Sequence, residues 1–260
     1  MATIADGGLS RGGEHAERRF FLILSVIMVL LVVAGFSMNL ALGRSSFAVP
    51  VIYHLHAVVF MGWLALYLAQ VALVAGNNVA LHRRLGMLAL GWAPLMVVLG
   101  FAVMFTSMRR TGGPFFFDQN EFMLSNTLQL ILFMAMVLWA LRVRRHIGWH
   151  RRIMLIAMAI LTGPGLGRLL PMPLMIPHAW RIMIAMTMIF PVIGMIRDWR
   201  KRGAVHPAWL WGVGLVFGAQ VLADLVAYSP LGLSLTEWVL AGTPGAERPM
   251  HAFLPPGFAM

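Results

Sequence analysis

Seven apolar stretches, each 18 residues or longer, dominate this chain: Phe20–Leu42, Pro50–Ala75, Leu85–Ser107, Phe122–Leu141, Ile153–Leu170, Ala179–Ile196 and Ala208–Tyr228. Coiled at about 1.5 Å per residue, a run of that length crosses the hydrocarbon core of a bilayer. A water-soluble chain of this size needs a charged exterior. Here 60% of the residues are hydrophobic and 11% are charged, with a mean hydropathy of +0.82. In lipid every backbone polar group must find its partner within the protein, which leaves helices or a closed barrel. Barrel strands alternate with period two, and these runs do not. The expected fold is an all-α integral membrane protein, a bundle of about seven transmembrane helices. Prolines and an internal arginine interrupt the last three runs.

The basic residues set the expected orientation. Fourteen of the twenty, among them Arg83, Arg84, Arg151, Arg152 and Arg202, fall on the side of the N-terminus. Arg44, Arg109, Arg110, Arg168, Arg181 and Arg248 fall on the other. The richer side is the cytoplasmic one, so the N-terminus is expected inside and the C-terminus in the periplasm of a bacterial inner membrane. Residues 1–19 then form a basic cytoplasmic segment, 20–228 the transmembrane domain, and 229–260 a Pro/Gly-rich periplasmic tail. The run from Phe20 is too long for a typical signal-peptide core and reads as an uncleaved anchor. In the tail, Ser234–Glu237 has the pattern of a capping box, which predicts a short interfacial helix reaching Leu240, with the remainder extended.

A net charge of +11 is carried in short clusters between the apolar runs. That pattern suits anionic lipid headgroups at the inner face, and it lacks the interleaved aromatic and basic residues of a nucleic-acid surface. The bilayer is the expected partner, with a membrane-protein partner as a further candidate and no nucleic acid. The chain has no cysteine, which removes disulfides, thiolate ligands, iron–sulfur clusters and cysteine nucleophiles.

An internal echo runs through the second to fifth spans. "FMGWLALYLA" (60–69) followed by "HRRLGMLALGWAP" (82–94) parallels "FMAMVLWALR" (133–142) followed by "HRRIMLIAMAILTGP" (150–164). Each half is a hairpin turning at His-Arg-Arg, which predicts two similar hairpins side by side. The order "HLHAVVFMGWLALYLAQ", "LHRRLGMLALG", "HIGWHRRIMLIAMAILTGPGLGRLL", over residues 54–170, resembles a widespread group of uncharacterised multi-pass bacterial inner-membrane proteins. That resemblance implies the architecture and brings no activity with it. A looser similarity, in helix layout and in histidines near helix ends, is to the b-type di-haem membrane cytochromes. Those place one axial histidine on each of four helices at matching depths, a pattern from which this chain departs.

Ionisable side chains inside a bilayer cost several kcal/mol unless paired or facing a cavity, so they mark candidate sites. Counting along the spans puts His54, His56, His178, Arg168, Arg181 and Asp224 in the outer leaflet, where Tyr53, Asn39 and Asn126 lie as well. Arg168 and Asp224 are expected to pair, joining the fifth and seventh spans either as a structural lock or as part of a site. The arginines there suit an anionic group such as a haem propionate, a carboxylate or a phosphate. His54 and His56, two residues apart on a helix, point in different directions. His56 heads a stripe with Phe60, Trp63, Tyr67 and Gln70 that is either the wall of a pocket for a flat ligand or ordinary helix packing. On the inner side His82, His146 and His150 read as part of a cationic ring at the headgroups. Met172, Met175 and His178 offer a soft ligand set that chance explains in a chain with 21 methionines, and no metal site is expected. "GPGLGR" (163–168) lacks the strand and the Gly-Lys-Ser/Thr of a nucleotide loop.

Three functions follow from the outer-leaflet cluster. In the first it is a haem b or quinone site of a membrane redox protein, with His54, His56 and His178 supplying nitrogens and Arg168 and Arg181 holding acidic or carbonyl groups. In the second it is the substrate site of a proton-coupled transporter or small-molecule permease, with Asp224 relaying protons. In the third the chain is a non-catalytic accessory subunit whose polar residues lock helices.

Overall fold

The computed structural model describes residues 11–258. The first ten residues of the basic N-terminal segment, the side chain of Arg11 and the last two residues of the tail lie outside the described residues. Among those described there are eleven α-helices, two 3₁₀ turns and no strand: α1 (Arg11–Ala41), α2 (Val51–Ala75), α3 (Val79–Gly86), α4 (Ala89–Thr111), α5 (Gln119–Arg142), α6 (Ile147–Ile160), α7 (Gly163–Leu169), α8 (Ala179–Thr187), α9 (Ile189–Arg202), α10 (Pro207–Ala227) and α11 (Pro230–Leu240). Six segments are long and apolar enough to cross a membrane: α1, α2, α4, α5, the stretch Ala179–Arg202 and α10. The pair α6 and α7 makes a seventh if it is one span. These lengths and compositions are those of a multi-pass membrane protein.

The fifth apolar run is broken. α6 and α7 meet at 42°, because Pro164 has no N–H to give and its ring crowds the preceding turn. The sixth run divides at Met188 into α8 and α9, with Pro191 in the first turn of the second piece. The short α3 precedes the third run and is capped by Asn78, whose side chain accepts from the Leu81 N–H at 3.2 Å.

α5 is the central element, packed against α4, α6 and α10, while α1 lies along α2 and α7. The α1–α7 crossing requires glycine on both sides. A Cβ on Gly35 would stand 2.4 Å from the Gly165 carbonyl oxygen, and one on Gly165 2.6 Å from the Val32 Cα. The helices alternate in direction. The starts of α1, α6 and α10 and the ends of α5 and α9 share one end, rich in arginine. The starts of α5 and α8 and the ends of α4 and α10 share the other.

α11 ends at Leu240 as the sequence predicts, but it begins earlier. Ser229 is its N-cap, accepting from the Gly232 N–H at 3.3 Å, and Pro230 fills the first helical position. Ser234–Glu237 therefore lies inside the helix. Ser229→Ala is expected to cost about 1 kcal/mol, confined to α11 and read as faster amide exchange there; unchanged exchange would show the cap to be idle. Beyond α11 the tail does not extend away. Met250 accepts from the Gln119 N–H at 2.8 Å and Phe253 donates to the Phe115 carbonyl at 3.1 Å. The Arg248 guanidinium is enclosed by the carbonyls of Gly112, Gly113, Pro114 and Phe117.

Candidate functional site

The polar stretch Asp118-Gln-Asn-Glu121 precedes the apolar run of α5, and the helix begins inside it. Asp118 is extended, α5 starts at Gln119, and the first turn thus turns Gln119, Asn120 and Glu121 into the bundle, each nearly fully buried. Polar groups so placed need partners. Gln119 Nε2 donates to the Gly245 carbonyl at 2.9 Å and Asn120 Nδ2 to the Ala227 carbonyl at 2.9 Å. The Glu121 carboxylate, on a residue 2% exposed, faces Arg181 of α8 at 3.6 Å.

Arg181 joins two carboxylates. Its Nε donates to Asp224 Oδ2 at 2.8 Å while its Nη2 faces Glu121. Asp224 Oδ1 accepts from Gln220 Nε2 at 2.8 Å, one turn earlier on α10. Gln220 in turn accepts from Trp180 Nε1 at 2.9 Å and lies 3.0 Å from Ser125 Oγ. At the rim, Tyr228 donates to Asp118 Oδ2 at 2.8 Å, and the Ala252 N–H donates to Asp118 Oδ1 at 2.6 Å. Three helices, α5, α8 and α10, thus close on one guanidinium and two carboxylates.

Of the residues nominated from the sequence, Arg181 and Asp224 meet. Arg168 does not pair with Asp224. α7 packs on α1, which seats the Arg168 guanidinium 4.0 Å above the Phe36 ring and lets Nη1 donate to the Pro164 carbonyl at 2.7 Å. His56 belongs to that second setting: its ring stacks on Phe60 at 5.7 Å, and Phe60 lies 6.2 Å from Phe36. His54 is exposed beside Phe47 at 6.4 Å. His178 is exposed at the start of α8. Asn126 donates back to the Phe122 carbonyl within its own helix. Among the described residues, no hydrogen bond, ion pair or ring contact joins His54, His56 or His178 to one another or to Asp224. The stripe below His56 is core: Phe60, Trp63 and Tyr67 are buried, Trp63 lies edge-on to Phe133 at 5.4 Å, and Tyr67 Oη is 3.2 Å from Ser25 Oγ.

The arginine-rich end carries a second network. Arg152 is wholly buried, a correction to its expected place among the headgroups, and its Nε and Nη2 grip Asp198 at 2.9 and 2.8 Å. Glu17, buried on α1, takes Arg151, Arg152 and Arg202 as partners, with Arg197 at 3.9 Å. Trp209 Nε1 also donates to Asp198 at 2.9 Å. Nor do the histidines here form a uniform cationic ring. His82 and His150, from the two His-Arg-Arg turns, have rings 6.4 Å apart, and each Nδ1 faces a carbonyl: Gln70 at 3.3 Å and Ala140 at 2.8 Å. Burial holds His82 below its ordinary range, against the pull of the Gln70 carbonyl and with that of Arg83. His146 alone of the three is exposed.

Comparisons with family models, with curated proteins and with solved structures find no match to this chain.

Proposed function

We propose that the chain is a multi-pass protein of the bacterial inner membrane, N-terminus cytoplasmic and C-terminus periplasmic, of the proton-coupled transporter or permease class. Glu121, Arg181 and Asp224 are its coupling site. The observation that carries this is the buried Glu121 carboxylate sharing one guanidinium with Asp224. Two carboxylates and one guanidinium leave one negative charge over, which is expensive at the edge of hydrocarbon. A bound proton or a monovalent cation supplies the missing charge, so the site is built to gain and lose one. Gln220 and Tyr228 hold the surrounding oxygens in place whichever state is occupied.

The haem b or quinone reading asks for imidazoles and arginines around one centre. His54, His56 and His178 stand in separate settings, and Arg168 is turned toward Phe36, so this geometry lends that reading no support. The accessory-subunit reading treats the same triad as a helix lock, and the two are separable by experiment. In inside-out and right-side-out vesicles, Asp224→Asn is expected to abolish solute uptake driven by an imposed pH gradient while its melting temperature stays near that of the parent. A variant that fails to fold would favour the lock. A Soret band in the purified protein would return the argument to haem.

A further inference from the structure

α11, at the end of the bundle opposite the arginine-rich one, has three faces. With 3.6 residues to the turn, Gly232, Thr236 and Leu240 share one side, and all three are buried. Gly232 meets the end of α10 so closely that a Cβ there would stand 2.0 Å from the Val226 carbonyl oxygen. Leu240 clusters with Met104 and Met108 of α4 and Met123 of α5. The helix therefore lies across the ends of three spans, and its 11 residues are too few to cross a bilayer. Ser234 and Glu237 make a second face, polar and exposed. The third consists of Leu231, Leu235 and Trp238, within an arc of about 60°. It is wholly apolar yet open, Leu231 63% and Trp238 76% exposed, where a sector turned to water is ordinarily polar.

Its neighbours say what covers it. Val98 and Phe105, two turns apart on one side of α4, are exposed members of the apolar belt of that membrane-length helix. Phe105 lines a groove together with Trp238 and Val239 of α11, so the belt of α4 runs on into the apolar face of α11. Arg109, exposed and one turn beyond Phe105, lines the same groove and sets a cation where the apolar belt ends. We propose that this groove and stripe seat a phospholipid of the facing leaflet, its acyl chains on Leu231, Leu235 and Trp238 and its phosphate at Arg109. A guanidinium fork matches phosphate oxygens in charge and geometry. Tryptophan favours the level where acyl chain gives way to headgroup, and a helix with separate apolar and polar sectors settles in that plane. The inference rests on the membrane placement proposed above.

The chain has no cysteine, so Leu235→Cys, Glu237→Cys and Leu215→Cys each give the full chain a single attachment point for a nitrobenzoxadiazole dye. All three positions are exposed, as are Arg109 and Arg110, so substitution there should leave the fold intact. In phosphatidylglycerol/phosphatidylethanolamine vesicles, the dye at 235 is expected to lose at least half of its emission to lipid carrying a nitroxide on its acyl chain and little to aqueous iodide. The dye at 237 should show the reverse. Leu215, midway along α10, reports on the bilayer itself. Iodide quenching at 215 defeats the membrane placement, whereas nitroxide quenching at 215 with iodide quenching at 235 defeats only this inference. A dye at 235 shielded from both quenchers identifies a protein partner or a second copy on the stripe and overturns the lipid. For the phosphate contact, native mass spectrometry should find one phosphatidylglycerol retained by the parent, at least tenfold less by Arg109→Gln, and as much as the parent by Arg110→Gln, whose side chain leaves α4 in another direction. Equal retention by Arg109→Gln and Arg110→Gln, or none by the parent, overturns that contact.

Discussion

Arg152→Met is expected to destabilise the protein by about 3–5 kcal/mol, the cost of stranding buried charge. The side chain is wholly enclosed, and its donors go to Asp198, to Glu17 and to the Gly148 carbonyl. Methionine fills much of the same volume, so little of the loss comes from packing. What changes is Asp198, which keeps Trp209 as a hydrogen-bond donor but loses its bidentate cation. Glu17 retains Arg151 and Arg202. Arg152→Lys should also be destabilising, because an ammonium cannot span two carboxylate oxygens with a planar fork. The decisive comparison is Arg152→Met/Asp198→Asn. Removing the stranded charge should recover a large part of the loss, since coupled residues in one network are non-additive. Unfolding in detergent measures all three, and a loss under about 1 kcal/mol for Arg152→Met would show that the network carries no stability.

The reach of the sequence is clearest at the helix ends. The apolar runs gave each membrane-length segment its place, because a stretch that long has few other outcomes. Those runs stop where charge begins, and the charged residues just beyond are the ones that matter. Glu17 lies three positions before Phe20, Glu121 one before Phe122, and Asp198 two after Ile196. In each case the helix continues past that limit, and the bundle closes over the carboxylate. The signal was present in the four polar residues Asp118–Glu121 heading an apolar helix, a place where loop and buried first turn look alike. Depth along a span was legible; direction around it was not. Depth alone pairs Arg168 with Asp224, yet α7 turns away at Pro164 to lie on α1, while α10 lies on α5. The repeat told more than it seemed to: the two His-Arg-Arg turns bring His82 and His150 into ring contact.

Arg181→Gln is the second large effect, expected at about 2–3 kcal/mol, below the cost of breaking a fully buried pair because the guanidinium is partly exposed. It leaves Glu121 and Asp224 without their shared cation, and among the described residues Gln220 is the side-chain donor that remains, to Asp224. Glu121→Gln should behave differently. Arg181 keeps Asp224 at 2.8 Å, the uncompensated negative charge disappears, and the amide fits the same space, so stability should stay within about 1 kcal/mol of the parent. Combining the two substitutions should then cost less than Arg181→Gln alone, a coupling of about 1 kcal/mol or more in a double-mutant cycle. This asymmetry bears on function. A residue kept to lock helices is costly to neutralise, whereas one kept to exchange a charge is cheap to neutralise and its loss silences the site. Glu121→Gln should therefore unfold like the parent yet show no uptake driven by a pH gradient. If it unfolds as readily as Arg181→Gln, the triad is a lock and the accessory-subunit reading stands in place of the transporter.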